Sequence, residues 1–135
     1  MNVLLIRPIP SNERFGLGPF FRIEPLGMEY VARALINRGH QVDVLDLRFT
    51  QSVEFHLERH RPRVVGIACM HALEIDDVLS LAGRIRRVAP EACIIIGGHA
   101  ATAYPMPFRV SAVDAICTDD GERAVPLLVD ALDKG

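Results

Sequence analysis

Short apolar runs alternate along the chain with segments of helical period. Five runs rich in Val and Ile predict β-strands, over residues 2–7, 41–46, 63–69, 92–96 and 113–117. Three of them are apolar nearly throughout, as expected of strands that are covered by helices on both faces. The pattern therefore predicts a parallel sheet.

Apolar residues between the strands recur at the spacing of one helix face. Three segments have this period, and each is expected to lay its apolar face on the sheet. A shorter helix is predicted over 51–60, and Gly39 and Pro90 follow two of the segments as stop signals. The predicted faces consist of Leu26, Tyr30, Val31, Ala34 and Leu35; of Ile75, Val78, Leu79, Ala82 and Ile85; and of Ala124, Leu127, Leu128, Ala131 and Leu132.

The alternation of strand and helix predicts one α/β domain over residues 1–135, with a doubly wound parallel sheet. Right-handed crossovers and the size of the chain favour the flavodoxin-like strand order 2-1-3-4-5. In such a sheet, ligands bind outside the carboxyl ends of the strands, near the switch between strands 1 and 3. Functional residues are therefore expected in the loops after strands 1, 3, 4 and 5.

Composition narrows the classes of partner. The 135 residues are 50% hydrophobic and 24% charged with a formal charge of −2, so no polybasic surface points to nucleic acid or anionic lipid. No apolar run approaches the roughly 20 residues of a membrane span, and no signal peptide is evident. The three cysteines are odd in number and adjoin predicted strands, which predicts reduced, buried thiols in a cytoplasmic protein.

Three loops carry candidate ligand contacts, and each also has a purely structural interpretation. Residues 8–25 form an unusually long connection that either touches a ligand or packs its aromatic residues on the core. Gly97 and Gly98 either let a ligand approach the backbone or form an ordinary turn. Asp120 or Thr118 either caps the last helix or contacts a ligand.

Several other chemistries lack their sequence signatures. The third glycine of a dinucleotide fingerprint is missing after Gly16 and Gly18, and no phosphate loop of the Gly-Lys-Ser/Thr type occurs. A receiver domain needs acids after strand 1 and an aspartate after strand 3, where this chain has Arg7 and Cys69. The histidines and cysteines have no metal-ligand spacing, and no catalytic triad falls at a strand-to-helix elbow.

A more specific pattern runs through the chain in order. It comprises the stretch 25–35, PLGMEYVARAL, then Gly39-His40-Gln41-Val42 and Asp46, Val64-Val65-Gly66-Ile67, Gly97-Gly98 with Ala101-Thr102, Val113-Asp114-Ala115, and Gly121-Glu122. In this the sequence resembles the N-terminal cobalamin-binding domain of radical S-adenosylmethionine enzymes. The resemblance covers nearly all of the chain.

The resemblance implies where a cofactor is held. The corrin is expected over the carboxyl edge of the sheet, and the nucleotide tail between the sheet and flanking helices, past the segment after strand 3 and the Gly-Gly turn. Domains of this kind accompany a catalytic domain that carries an iron-sulfur cluster and S-adenosylmethionine. The candidate contacts are Pro8, Pro25, Leu26, Gly27, Ala68, Cys69, Met70, His71, Gly97, Gly98, His99, Thr102, Asp120, Gly121 and Glu122.

Four features depart from the family pattern or add to it. Ala68 stands where the wider family has the serine of Ser-x-Leu, so a hydroxyl that could bind the tail is lost. Residues 1–39 contain no histidine, which predicts that the loop after strand 1 supplies no lower ligand to cobalt. His71 follows strand 3 and is a candidate cobalt ligand, whereas His99 is displaced by one position from the family's Gly-Gly-x-His.

The sequence thus predicts a cobalamin-binding module that is not catalytic by itself. The cluster motif Cys-x-x-x-Cys-x-x-Cys of the radical enzymes does not occur in it, so the catalytic domain is expected elsewhere, in cis or in trans. Two alternatives are a degenerate domain that serves as a scaffold or interaction surface, and a small flavin or nucleotide binder.

Overall fold

Five parallel strands form a single sheet in the computed structural model, which describes residues 1–10, 26–50 and 52–135. The strands are paired in the order β2-β1-β3-β4-β5. This confirms the predicted fold class, a doubly wound α/β sheet of flavodoxin-like strand order. The strands are β1 (Asn2–Arg7), β2 (Gln41–Asp46), β3 (Val64–Ala68), β4 (Cys93–Gly97) and β5 (Ala115–Ile116).

Helices connect successive strands and cover both faces of the sheet. Single 3-10 turns precede α3 (Ala72–Glu74) and follow α4 (Met106–Phe108). Of the helices within the described ranges, none is long and apolar enough to cross a membrane. The helices are α1 (Leu26–Asn37), α2 (Val53–His60), α3 (Ile75–Val88), α4 (His99–Ala103) and α5 (Gly121–Asp133).

Two apolar layers bury the sheet, one on each face. Side chains of a strand alternate between faces, so odd and even positions of the central strands enter different layers. The layer under α1 and α5 contains Val3, Leu5, Val64 and Ile95, together with Leu35, Val125 and Val129 from the helices. The opposite layer, under α2, α3 and α4, contains Leu4, Ile6, Val65, Ile67, Ile94, Ile96, Leu57, Val78, Ile85 and Phe108.

The structure corrects two of the predicted helix faces. In α1 the buried residues are Ala32 and Leu35, while Leu26 and Tyr30 are 56% and 63% exposed. The buried face of α5 is centred on Val125 and Val129 rather than on Leu127, which is 59% exposed. Apolar residues lie on more than one side of both helices. The helical period alone therefore did not determine which side faces the sheet.

The remaining predicted features agree with the structure to within a few residues. The short helix predicted over 51–60 is α2, which begins at Val53 with the Ser52 hydroxyl accepting a hydrogen bond from the Phe55 N–H at 3.2 Å. Residue 51 lies outside the described residues. All three cysteines are free thiols; Cys69 and Cys117 are buried, and Cys93 is half-buried.

The edge strand β5 pairs with β4 over only two residues, and a side chain extends that pairing. The Asp114 carboxylate accepts a hydrogen bond from the Ile94 N–H at 2.7 Å and also binds the Arg86 guanidinium. The same guanidinium donates to the Ala92 carbonyl at 2.8 Å. This network anchors the start of β5 and thereby sets the direction of the loop that follows the strand.

Candidate functional site

The segments after β3 and β4 meet at the carboxyl edge of the sheet. The Cys69 N–H donates to the Gly97 carbonyl at 2.7 Å, and the Ala100 N–H donates back to the Cys69 carbonyl at 3.0 Å. These bonds extend the strand pairing beyond Ala68 and tie the start of α4 to β3. The structure therefore brings together the two segments that the sequence predicted as neighbours.

Gly98 makes the closest backbone approach at this junction. Its φ of +103° lies in the region that favours glycine, and a Cβ built on it would lie 2.5 Å from the Cys69 carbonyl oxygen. A side chain is therefore excluded by the chain's own backbone. The second glycine of the predicted Gly-Gly contact thus has a structural reason that is sufficient without a ligand.

Small residues occupy the centre of the sheet under α1 and α5. By strand alternation, Gly66 and Ala68 of β3 and Gly97 of β4 face this layer, and all three are only half-buried. Their neighbours on the opposite face, Ile67 and Ile96, are fully buried. Central strands are normally covered on both faces, so solvent reaches this sheet from one side at its carboxyl half.

Gly97 and Gly66 differ in what surrounds their missing side chains. A Cβ on Gly97 would make an ordinary contact of 3.5 Å with the Cys117 Cβ, so no atom of the described chain forbids a side chain there. A Cβ on Gly66 would lie 2.8 Å from the Leu5 Cδ2. The partly exposed place beside Gly97 and Ala68 is therefore an opening on this face of the sheet.

The first turns of α1 and α5 flank this opening. A Cβ on Gly121 would lie 3.1 Å from the Val31 Cγ2, so glycine lets α5 begin close to α1. Leu26 and Gly27, at the start of α1, are exposed. Pro8 is buried just after β1, and the predicted contact Pro25 lies outside the described residues, as does most of the loop 8–25.

Glu74 holds the segment after β3 in place, and the sequence analysis did not identify it. Its side chain is only 4% exposed, and its Oε2 accepts hydrogen bonds from the Met70 N–H at 3.1 Å and the His71 N–H at 3.4 Å. Met70 and His71 themselves are exposed. The sequence showed only the spacing of a capping box and not its usual residues, because the position three residues before Glu74 is His71 rather than Ser or Thr.

Cys69 is a buried, neutral thiol rather than a nucleophile. Burial raises the pKa of this thiol to about 12, and the negative charge of Glu74 adds to the rise. The Cys69 Sγ lies 3.6 Å from the His71 carbonyl oxygen, to which the thiol donates. Because only a thiolate attacks or binds metal well, Cys69 has a structural role here.

The other predicted contacts lie on exposed positions around the same edge. His99 begins α4, and the Thr102 hydroxyl donates to the Gly98 carbonyl at 3.2 Å. Asp120 occupies the N-cap position of α5 and Glu122 its first turn, but the Asp120 side chain forms no capping hydrogen bond with the described residues. Over the described ranges, no three His, Cys, Asp or Glu side chains converge as a metal site.

A charged cluster at the ends of β1 and β2 was also missed. The Asp46 carboxylate binds the Arg48 guanidinium at 2.6 Å and lies 3.8 Å from an Arg7 nitrogen. Burial alone would raise the pKa of Asp46, but the hydrogen bonds from Arg48 and the two positive charges outweigh it and lower the pKa below the usual value. Asp46 therefore stays ionised and fixes the chain direction after β2.

Replacement of Gly98 tests the backbone approach to Cys69. We expect Gly98→Ala to lower the free energy of unfolding by about 2–4 kcal/mol, because the methyl group meets the Cys69 backbone and the positive φ is strained. Urea unfolding followed by circular dichroism measures the change. Gly97→Ala is the matched control and should lower the free energy of unfolding by less than about 1 kcal/mol. Equal effects of the two substitutions would refute the close backbone approach at Gly98.

Removal of the Asp46 charge should make stability less dependent on pH. A lowered folded-state pKa stabilises the fold above the unfolded pKa, near 3.8, and this stabilisation is lost as the pH falls through the folded pKa. We expect Asp46→Asn to cost about 1–2 kcal/mol at pH 7 and progressively less below pH 4. Urea unfolding at several pH values measures this, with the exposed Asp119→Asn as control. A cost that does not change with pH would contradict the ion-pair account.

Comparison with known proteins gives related sequences and folds. The chain is 30% identical over 118 residues to the Hopanoid C-3 methylase of Methylococcus capsulatus, a match that spans 84% of this chain and 23% of that protein. The chain thus corresponds to about a quarter of the length of this relative. The isolated REC domain of RcsB from Salmonella enterica serovar Typhimurium superposes with a TM-score of 0.64 at 17% identity, covering 100% of this chain and 89% of that one.

A solved cobalamin-binding protein shares the fold, and a family profile matches the sequence. The protein, from Desulfitobacterium hafniense DCB-2, superposes with a TM-score of 0.69 at 11% identity and covers 96% of this chain and 58% of that one. The profile of the B12 binding domain matches residues 19–129, which include β2 to β5 and the segments that meet at the carboxyl edge. The chain therefore belongs to the B12-binding domain family.

Proposed function

We propose that this domain holds cobalamin with the corrin at the carboxyl edge of the sheet and the nucleotide tail between the sheet and helices α1 and α5. The observation that carries the proposal is the half-buried pair of small residues, Ala68 and Gly97, at the carboxyl ends of the central strands β3 and β4. An opening at that place leaves apolar surface of the sheet in contact with water, which lowers the stability of the fold. A ligand that fills it restores the lost contacts.

The residues around the opening offer the tail apolar surface but no side-chain hydrogen bonds. Ala68 and Gly97 present no side-chain hydrogen-bonding group, so binding there rests on apolar contact and backbone groups. The exposed Met70 and His71 extend the same edge outward, where the corrin would lie. The thiols of Cys69 and Cys117 donate to backbone carbonyls of their own loops, so they shape these loops rather than bind the cofactor.

The second part of the proposal concerns the partner. We infer that the domain serves a radical S-adenosylmethionine enzyme, in cis or in trans, whose iron-sulfur cluster and S-adenosylmethionine are bound by a separate catalytic domain. Its support is the motif order described above and the 30% identity to a methylase. Bound cobalamin would supply a methyl carrier for such an enzyme. The residues of this domain would hold and orient the corrin.

One observation favours a second candidate function. Ala68 replaces the serine of the family pattern, and its methyl group cannot donate a hydrogen bond to the tail. A domain that has lost cofactor binding could still act as a scaffold or interaction surface for a catalytic domain. The two candidates differ in one measurable property, which is the affinity for cobalamin.

Visible absorption of the protein after incubation with hydroxocobalamin distinguishes them. We expect the corrin spectrum to stay with the protein through gel filtration. Gly97→Ala should weaken the binding about tenfold or more, because its methyl group enters the opening while the fold tolerates it. Gly83→Ala, in α3 on the opposite face with nothing within 4 Å of the new Cβ, is the matched control and should bind normally. A colourless wild-type protein would support the scaffold instead.

The Co(II) form reports on the lower cobalt ligand. We expect its electron paramagnetic resonance spectrum to lack nitrogen coupling from an imidazole of the loop after β1, because residues 1–39 contain no histidine. His71 is the candidate that the sequence left open, so the spectrum is compared with that of His71→Ala. Identical spectra are expected. A nitrogen coupling that disappears in the variant would instead identify His71 as a cobalt ligand.

A further inference from the structure

A buried acid lies directly beneath the loop that follows β3. Of the described residues, Glu74 is the only Asp or Glu that is buried, with 4% of its surface exposed. Burial of a carboxylate is costly unless hydrogen bonds compensate for lost hydration. Glu74 ends the 3-10 turn that leads from β3 into α3, so its buried carboxylate lies next to the loop that follows β3.

The bonds between Glu74 and His71 are reciprocal. The Glu74 carboxylate accepts from the His71 N–H at 3.4 Å, and the Glu74 N–H donates to the His71 carbonyl at 3.0 Å. The carboxylate also accepts from the Met70 N–H at 3.1 Å. Both successive N–H groups of the loop therefore point inward to one negative charge, and such charge-assisted bonds are about twice as strong as neutral ones.

The same loop is fixed from its other side by the turn after β4. The Cys69 carbonyl accepts the Ala100 N–H, and the Gly98 Cα packs against the Cys69 backbone. Between these two attachments, the side chains of Met70 and His71 face outward, with Met70 50% exposed. The backbone of the loop is thus held rigidly while its side chains are offered to the carboxyl edge.

We propose that Glu74 is the positioning residue of the cofactor site: its carboxylate holds the loop Cys69–His71 in the conformation that receives the corrin. This inference rests on the proposed function. A loop that is ordered before binding loses less conformational entropy when the ligand arrives. This gain adds to binding in a site where Ala68 offers the tail no side-chain hydrogen bond.

Two substitutions of Glu74 in the full chain test the role. Glu74→Ala removes the oxygen that accepts both hydrogen bonds and should raise the Kd for hydroxocobalamin about tenfold or more. Glu74→Gln keeps a neutral acceptor and should raise the Kd less, by about threefold. Asp76→Asn, an exposed acid two residues further along, is the matched control and should bind as the wild type does.

Amide hydrogen exchange of the cofactor-free protein gives a second readout that a general loss of stability would not produce. The Met70 and His71 amides should exchange about tenfold faster in Glu74→Ala and less so in Glu74→Gln, while amides within β1 and β4 keep their rates. If Glu74→Ala does not fold, Glu74→Gln carries both measurements.

The outcomes separate the two proposals. Wild-type protein that does not bind hydroxocobalamin refutes the proposed function, and with it the role of Glu74 toward the corrin, whatever the exchange rates show. Wild-type protein that binds, with Glu74 variants of unchanged Kd and unchanged Met70 and His71 exchange, overturns the role of Glu74 alone. Weaker binding together with faster exchange confined to that loop supports both.

Discussion

The backbone contact between Gly98 and Cys69 is the constraint on which the carboxyl edge depends. It joins the ends of the two central strands that carry the candidate site, and it allows α4 to begin immediately after β4. Because a side chain at position 98 would collide with the Cys69 carbonyl oxygen, the loops after β3 and β4 hold their relative position only with glycine there. Glu74 completes the arrangement from the other side of the same loop.

The fold alone says little about the chemistry, since a receiver domain shares it with a TM-score of 0.64. The composition of the central strands says more than the fold does. A sheet that needed only stability would place large apolar residues under α1 and α5 along its whole length, as Val64 and Ile95 do at the amino half. At the carboxyl half the chain has Ala68 and Gly97 instead, and the helices leave them partly open to solvent.

The sequence predicted the strand order, because alternation of apolar runs with helical segments restricts the topology strongly. It did not predict the rotation of α1 and α5, since both helices carry more apolar residues than one face requires. It also did not predict the role of Glu74 or the ion pairs of Asp46, because the partners of a buried charge are set by tertiary distances. Periodicity cannot indicate whether Gly98 is needed by a ligand or by the backbone of Cys69.

The account's central claim is that the opening beside Ala68 and Gly97 receives the nucleotide tail of cobalamin. Comparison of hydroxocobalamin with cobinamide, which has the corrin but lacks the nucleotide, tests it most directly. We predict that absorbance titrations give a Kd for hydroxocobalamin at least about tenfold lower than that for cobinamide, a difference of about 1.4 kcal/mol. Equal affinity for the two corrins would contradict the account, because the tail would then contribute nothing to binding.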